Sequence, residues 1–91
     1  MKMKSKIHSK ILNRWSIHKI PIQKGKLGDY RLAVRDLNGK WSKSDGEPVF
    51  ILSNQNSRFK ELEEALKEME GKPIELYFIR KFGKKFINEI S

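Results

Sequence analysis

The chain has 91 residues, a formal net charge of +9 and 37% hydrophobic residues, which predict one small folded domain rather than a disordered chain. It contains no cysteine, which excludes a disulfide framework, a thiolate zinc site and a cysteine nucleophile. Its apolar runs are too short to cross a bilayer, and its basic N-terminus lacks the apolar stretch of a secretory signal. The sequence therefore predicts a soluble intracellular protein, cytoplasmic or nucleoid-associated, without membrane association.

The positive charge is unevenly distributed along the chain. Residues 1–44 carry a net charge of +10, residues 45–71 carry −4, and residues 72–91 carry +3. This separation of sign favours a surface that binds a polyanion, with the acidic segment facing elsewhere. An anionic membrane or an acidic protein would respond to the same field, and a generally lysine-rich composition would raise the isoelectric point without any such function.

The N-terminal third predicts an arm and then a strand. Residues 1–10 carry four lysines without apolar periodicity, which predicts a flexible basic arm followed by a single α+β domain over residues 11–91. Residues 16–23 are rich in β-branched side chains and predict the first strand. Because Pro21 cannot donate to a ladder, this strand is expected at a sheet edge or with a bulge. Trp15 is either the first core aromatic or a stacking surface.

Residues 29–36 show the period of two that is typical of a half-buried strand. The alternation turns Arg31 and Arg35 away from an apolar face, onto a second face where they could meet phosphates. An ordinary surface strand with solvated arginines is the alternative. The Asn-Gly dipeptide that follows predicts a type I′ hairpin turn, after which Lys40 and Trp41 begin a return strand.

The middle of the chain predicts a further strand and a helix. Residues 49–53 form an apolar run that suits a sheet interior or a dimer interface, which completes an antiparallel meander. A helix is predicted from a cap at Asn56 or Ser57 to Glu70, with Gly71 as its stop signal. Its apolar residues form one stripe at helical spacing, which is more typical of a core or dimer face than of a ligand site.

The C-terminal segment combines apolar, basic and aromatic residues. Residues 74–80 predict a strand with two fairly apolar faces. In residues 80–86, four basic side chains stand beside two aromatic ones, a composition that suits single-stranded nucleic acid. Alternatively, Phe82 and Phe86, which are four residues apart, belong to the buried side of a C-terminal helical turn.

Catalytic and metal-binding patterns are weak. His8 and His18 are ten residues apart, which does not place two ligands on one helix face. Asp36, just before the predicted turn, is expected to accept hydrogen bonds from the turn backbone rather than to bind a metal. The sequence therefore predicts a protein that is not an enzyme and needs no cofactor or metal.

A resemblance to a known family rests on three short segments: Tyr-Arg-Leu-Ala-Val-Arg-Asp at 30–36, Phe-Ile-Leu-Ser-Asn at 50–54 and Phe-Lys-Glu-Leu at 59–62. They resemble the positive-cofactor-four family of transcriptional coactivators, which includes compact bacterial and phage single-strand-binding proteins. The resemblance covers about residues 15–70, and the apolar segment at 74–90 lies beyond it.

The resemblance implies a four-stranded antiparallel sheet followed by a helix, and a homodimer formed largely through that helix. Single-stranded DNA would lie across the two curved sheets. By motif position, the contacts implied come from the basic loop, the strand and the segment after the turn: Lys24, Lys26, Arg31, Arg35, Lys40 and Trp41.

Together these observations predict an α+β domain with an antiparallel sheet of four to five strands, one amphipathic helix and a basic N-terminal arm. The predicted function is sequence-tolerant binding of nucleic acid, with single-stranded DNA favoured and RNA possible, through a basic and aromatic sheet face. The alternative is a small interaction or regulatory protein, viral or plasmid-borne, that docks on an acidic protein partner. The residues assigned to phosphate contacts are Lys24, Lys26, Arg31, Arg35 and Lys40, and those assigned to stacking are Trp41, Tyr30 and Trp15.

Overall fold

A computed structural model describes residues 6–22 and 28–91 as an α+β fold with one six-stranded sheet and one helix. The strands lie in the order β1-β5-β6-β4-β3-β2, and all neighbours are antiparallel except β4 and β6, which are parallel. The predicted α+β class is confirmed, but the sheet is mixed and has more strands than the four to five expected. The elements are β1 (Ile7–Leu12), β2 (Trp15–Pro21), β3 (Tyr30–Asp36), β4 (Val49–Leu52), α1 (Phe59–Met69), β5 (Ile74–Lys81) and β6 (Lys84–Ile90).

The predicted meander is present as β2, β3 and β4, which pair in sequence order. Strand β2 lies at an edge of the sheet, where the missing N–H of Pro21 leaves no ladder partner unsatisfied. In β3 the side chains of Leu32 and Val34 are fully buried, whereas Arg35 on the other face is exposed. The predicted alternation of this strand is therefore confirmed.

The sheet is completed by strands from the two ends of the chain. The hairpin of β5 and β6 lies beside β4, and β1 pairs with β5 at the far edge. Residues 7–10 therefore belong to the sheet and not to a basic arm, while residues 1–5 lie outside the described part of the chain. The sequence shows only a weak strand pattern for β1, because His8 and Lys10 occupy positions on the core side of this strand. The His8 ring stacks on Phe78 and the Lys10 ammonium lies over the Trp41 ring, at positions that an aliphatic side chain would usually occupy in a strand.

Helix α1 packs its apolar stripe against one face of this sheet, where Leu62 and Leu66 are fully buried. The stripe therefore contributes to the core of its own chain, whereas the family resemblance implied that the helix would form a dimer. The helix begins at Phe59, slightly later than predicted, because Asn56 accepts a hydrogen bond from the Arg58 N–H outside the helix. Gly71, with a φ of 87°, follows its last turn as predicted.

The segment after β3 differs from the prediction. The Asn-Gly dipeptide forms no type I′ turn, and residues 40–42 form no strand. Instead, Asp36 accepts hydrogen bonds from the N–H groups of Asn38 and Gly39 at 3.1 Å each, and from the indole of Trp41 at 2.9 Å. The expected capping role of Asp36 is confirmed, in a loop rather than a hairpin. A Cβ on Gly39 would overlap the Asp36 carboxylate, so the close approach explains the glycine.

In the part of the chain that the structure describes, no helix is long and apolar enough to cross a membrane.

Candidate functional site

The sheet face opposite α1 is the candidate site, and we call it the open face. Side chains alternate between the two faces of each strand, so the register of the sheet assigns one residue from every strand to a row across this face. That row contains Ile7, Ile79, Phe86, Ile51, Ala33 and His18, and we call it the apolar row.

The apolar row is only partly shielded from solvent. Ile79, Phe86 and Ile51 in the three central strands are half-buried, whereas Ile7 at the edge is 55% exposed. By contrast, Phe50 and Leu52 of β4, which point to the helix side, are fully buried. A strand with one fully buried and one half-buried apolar face fits the central position predicted for residues 49–53, and it leaves apolar surface accessible on the open face.

A row of basic side chains runs beside the apolar row. Lys81 and Lys84 pair across the β5–β6 hairpin, and Arg35 lies next to Val49 in β4. Adjacent strands are about 4.8 Å apart, so these cations follow one line across the sheet. Arg31 lies on the other side of the apolar row, two residues from Ala33 on the same strand. We call Arg31, Arg35, Lys81 and Lys84 the basic set.

None of the basic set is neutralised within the described residues. The ion pairs found there join Arg58 to Glu61 and Glu89, and Lys67 to Glu63. The four cations therefore remain available to an external anion, and each lies two residues along its strand from a member of the apolar row.

The acidic side chains lie mostly elsewhere. The exposed carboxylates of α1 are on the opposite side of the sheet from the open face, as the charge distribution predicted. Three carboxylates do reach the open face: Glu47 lines a groove with Val49 and Ile51 beside the basic set, and Glu75 and Glu89 lie at the far end. Glu89 is paired with Arg58 at 2.9 Å, and this ion pair lowers the pKa of the Glu89 carboxyl. The open face thus has a predominantly basic end, with Glu47 as its carboxylate, and a balanced end.

Among the predicted site residues, Arg31 and Arg35 are on the open face. Trp15 is not: its side chain is 5% exposed on the helix side, and its indole N–H donates to the Lys72 carbonyl at 2.7 Å. Of the two alternatives predicted for Trp15, the structure supports the first core aromatic and not the stacking surface. Lys40 is exposed in the loop after β3. Lys24 and Lys26 lie outside the described residues.

Tyr30 also faces the helix side. Its hydroxyl donates a hydrogen bond of 2.6 Å to Glu63, and its ring meets Phe59 edge-on. Burial by itself raises the pKa of the Glu63 carboxyl, but the hydrogen bond from Tyr30 and the ammonium of Lys67 outweigh burial and leave the pKa below its usual value. Tyr30 therefore binds the helix to β3, and the geometry does not present it for stacking.

Trp41 is half-buried on the helix side, and its ring is already in contact with other groups. The ammonium groups of Lys10 and Lys85 lie 4.8 and 4.9 Å from the ring centroid, and the ring of Phe50 meets it edge-on. Lys85 itself is buried and donates to the backbone carbonyls of Asp45 and Glu47. Burial and the nearby Arg80 guanidinium lower the pKa of the Lys85 ammonium. These contacts hold the loop to the sheet, so the aromatic residues assigned to stacking do not share a face with Arg31 and Arg35.

The open face does contain aromatic residues that the site assignment missed. Phe86 lies in the apolar row, and Tyr77 lies on the same face of β5 with its hydroxyl bonded to Glu75 at 2.9 Å. The sequence signal that could have found them is the basic and aromatic composition of residues 80–86. The helical alternative for this segment is wrong, because β6 is a strand and places Lys84 and Phe86 on one face.

Among residues 6–22 and 28–91, no group of three or more His, Cys, Asp or Glu side chains is arranged to hold a metal ion. Comparisons of the chain with protein-family models, with curated proteins and with solved structures find no significant match, so the resemblance to the positive-cofactor-four family stays a prediction.

Proposed function

We propose that this protein binds single-stranded nucleic acid, with little dependence on sequence, across the open face of its sheet. The observation that carries the proposal is the position of the basic set on both sides of the apolar row. This arrangement matches the two parts of a single strand, which has charged phosphates along its backbone and flat apolar faces on its bases.

The phosphates would be held by the basic set. Lys81, Lys84 and Arg35 lie along one side of the apolar row, and Arg31 lies on the other. Lysine and arginine contacts to phosphates release condensed counterions, which makes binding strongly dependent on salt concentration. The net charge of +9 adds a long-range attraction that speeds association with any polyanion.

The bases would lie against the apolar row. Phe86 and its neighbours Ile79 and Ile51 are half-buried, so their positions are fixed while part of their surface stays accessible. Stacking on an aromatic side chain is available to every base, since each base has a π-face. Apart from His18, the side chains of the apolar row have no hydrogen-bonding groups that could read base edges. This supports binding with little dependence on sequence.

The same geometry favours a single strand over a duplex. In a duplex the base faces are stacked on one another and only the phosphates and groove edges are accessible. A duplex could therefore use the basic set but not the apolar row, and it would gain less from this surface. DNA and RNA both offer unstacked bases, and we propose single-stranded DNA as the preferred ligand, as the family resemblance implies.

Fluorescence anisotropy tests this proposal with labelled single-stranded DNA, the same sequence as a duplex, and the matching RNA. Each titration is run at several salt concentrations, with polyglutamate as an acidic protein-like competitor. The proposal predicts tighter binding of single strands than of the duplex, and binding that weakens steeply with salt. Absence of binding at low salt would refute it, and displacement by polyglutamate as effective as by unlabelled DNA would favour the acidic protein partner instead.

A further inference from the structure

The β5–β6 hairpin ends in a turn whose sequence conflicts with its backbone conformation. The turn residues Phe82 and Gly83 have φ angles of 53° and 71°, and they lie between the paired residues Lys81 and Lys84. Positive φ at both central positions is the type I′ pattern, for which Asn-Gly is strongly preferred. Gly83 accepts this conformation without cost, but the Cβ of a phenylalanine is crowded there.

Packing within the described residues does not compensate for the backbone strain at Phe82. Phe82 is 92% exposed, the highest value among the exposed large hydrophobic side chains of the described residues. A bulky aromatic residue in the left-handed region is normally retained only where the surrounding structure or a function requires it. Since the described residues bury almost none of the ring, packing within them does not account for a phenylalanine at this position, whereas contact with a ligand would.

The position of Phe82 points to the open face. It lines two neighbouring grooves of that face, one of about 370 Å³ that also contacts Val49 and Ile51, and one of about 300 Å³ that also contacts Ile79 and Phe86. The ring therefore stands between two parts of the surface that hold apolar side chains.

The side chains around the tip of the hairpin are mostly positively charged, which favours a polyanion as the ligand. Lys81 and Lys84 flank Phe82 on the open face, and Arg80 and Lys85 follow on the helix side. Lys85 is buried and bonded to backbone carbonyls, so a polyanion would be held by Lys81 and Lys84, and it would pass next to the exposed ring. We propose that Phe82 inserts between two successive bases of the bound single strand and divides the bases between the two grooves. This inference rests on the proposed function and assigns a specific stacking contact within it.

The decisive variant is Phe82→Asn, because it restores the preferred turn sequence while removing the ring. It should raise the midpoint of urea unfolding, and it should raise the dissociation constant for single-stranded DNA by about tenfold or more, the range found when one base-stacking aromatic is removed. No charge is altered, so the salt dependence of binding should keep its slope. A folding defect cannot explain weaker binding by a protein that has become more stable.

Phe82→Trp is the matched variant that keeps an aromatic ring at the tip. It should bind like the unmodified protein, and its added tryptophan should be quenched when oligonucleotide binds. The native Trp15 and Trp41 lie on the helix side and serve as the reference signal in the unmodified protein.

The outcomes distinguish this inference from the function on which it rests. If the unmodified protein fails to bind oligonucleotides, both are refuted. If it binds and Phe82→Asn binds equally well, the function stands and the inference is overturned. Titration with phosphatidylserine vesicles completes the test: vesicle binding that is lost in Phe82→Asn, with unchanged DNA binding, would assign the ring to a membrane surface and overturn the inference.

Discussion

Removing the two guanidinium groups of β3 should weaken nucleic-acid binding without disturbing the fold. In the variant Arg31→Gln/Arg35→Gln, both substitutions fall on the open face, while the core side of the strand, with Leu32 and Val34 fully buried, is unchanged. Neither arginine forms an ion pair within the described residues, so no carboxylate is left without its partner. Stability should change by less than about 0.5 kcal/mol, as is usual for surface substitutions.

The size of the binding effect follows from counterion release. Each phosphate contact to a single strand contributes about 0.7 to the slope of log affinity against log salt. If all four members of the basic set contact phosphates, their part of the slope is about −2.8, which corresponds to a loss of affinity of about 50-fold between about 50 and 200 mM salt. The double variant should keep a slope of about −1.4, which corresponds to a loss of only about sevenfold over the same range.

Anisotropy titrations at four or more salt concentrations measure this slope directly. Lys60→Gln/Lys72→Gln is the matched control, because it removes the same charge at exposed positions in α1 and just after it. The control should keep the slope of the unmodified protein. An unchanged slope in Arg31→Gln/Arg35→Gln, or equal losses in both variants, would refute the assignment and indicate a response to net charge alone.

Three further predictions test the other parts of the account. Lys81→Gln/Lys84→Gln should lower the salt slope of single-strand binding by about 1.4, as measured by anisotropy, and an unchanged slope would exclude the hairpin tip from the interface. Tyr30→Phe should lower the free energy of urea unfolding by about 1–2 kcal/mol at pH 7, because Glu63 loses a hydrogen bond. Folding lowers the pKa of the Glu63 carboxyl below 4.5, so the stability that the carboxylate contributes is present above that pH and is lost as the pH falls. The difference in unfolding free energy between Tyr30→Phe and the unmodified protein should therefore shrink in acid. A difference that stays constant with pH would contradict this. Gly39→Ala should destabilise the protein by about 1–3 kcal/mol, since the new Cβ overlaps a carboxylate that binds the loop backbone; a thermal unfolding midpoint equal to that of the unmodified protein would show that the loop can shift without cost.

The elements that the sequence predicts well are those whose signals are local. The alternation of β3 and the apolar stripe of α1 each follow from spacing within a few residues, and both are confirmed. The edge position of β2 follows from a single property of Pro21, its missing N–H. In each case one short segment contains the whole physical reason for its conformation.

The elements that the sequence does not predict depend on contacts between distant segments. Strand β1 is recognisable only through its pairing with β5, about 67 residues later in the chain, and nothing local indicates that the C-terminal hairpin lies beside β4. The direction in which Trp15 and Trp41 face depends on which side of the sheet α1 covers. For this reason the open-face position of Arg31 and Arg35 was predictable from β3, whereas Lys81 and Lys84 were not assigned to the candidate site and the aromatic residues assigned to it lie on the helix side.

Mapping the interface by nuclear magnetic resonance tests the central claim most directly. Addition of single-stranded oligothymidine to isotope-labelled protein should shift the amide signals of the open face, above all those of Arg35, Ile51, Lys84 and Phe86, while the outer side of α1 remains unchanged. Shifts concentrated on α1, or spread evenly over all exposed lysines and arginines, would contradict the account.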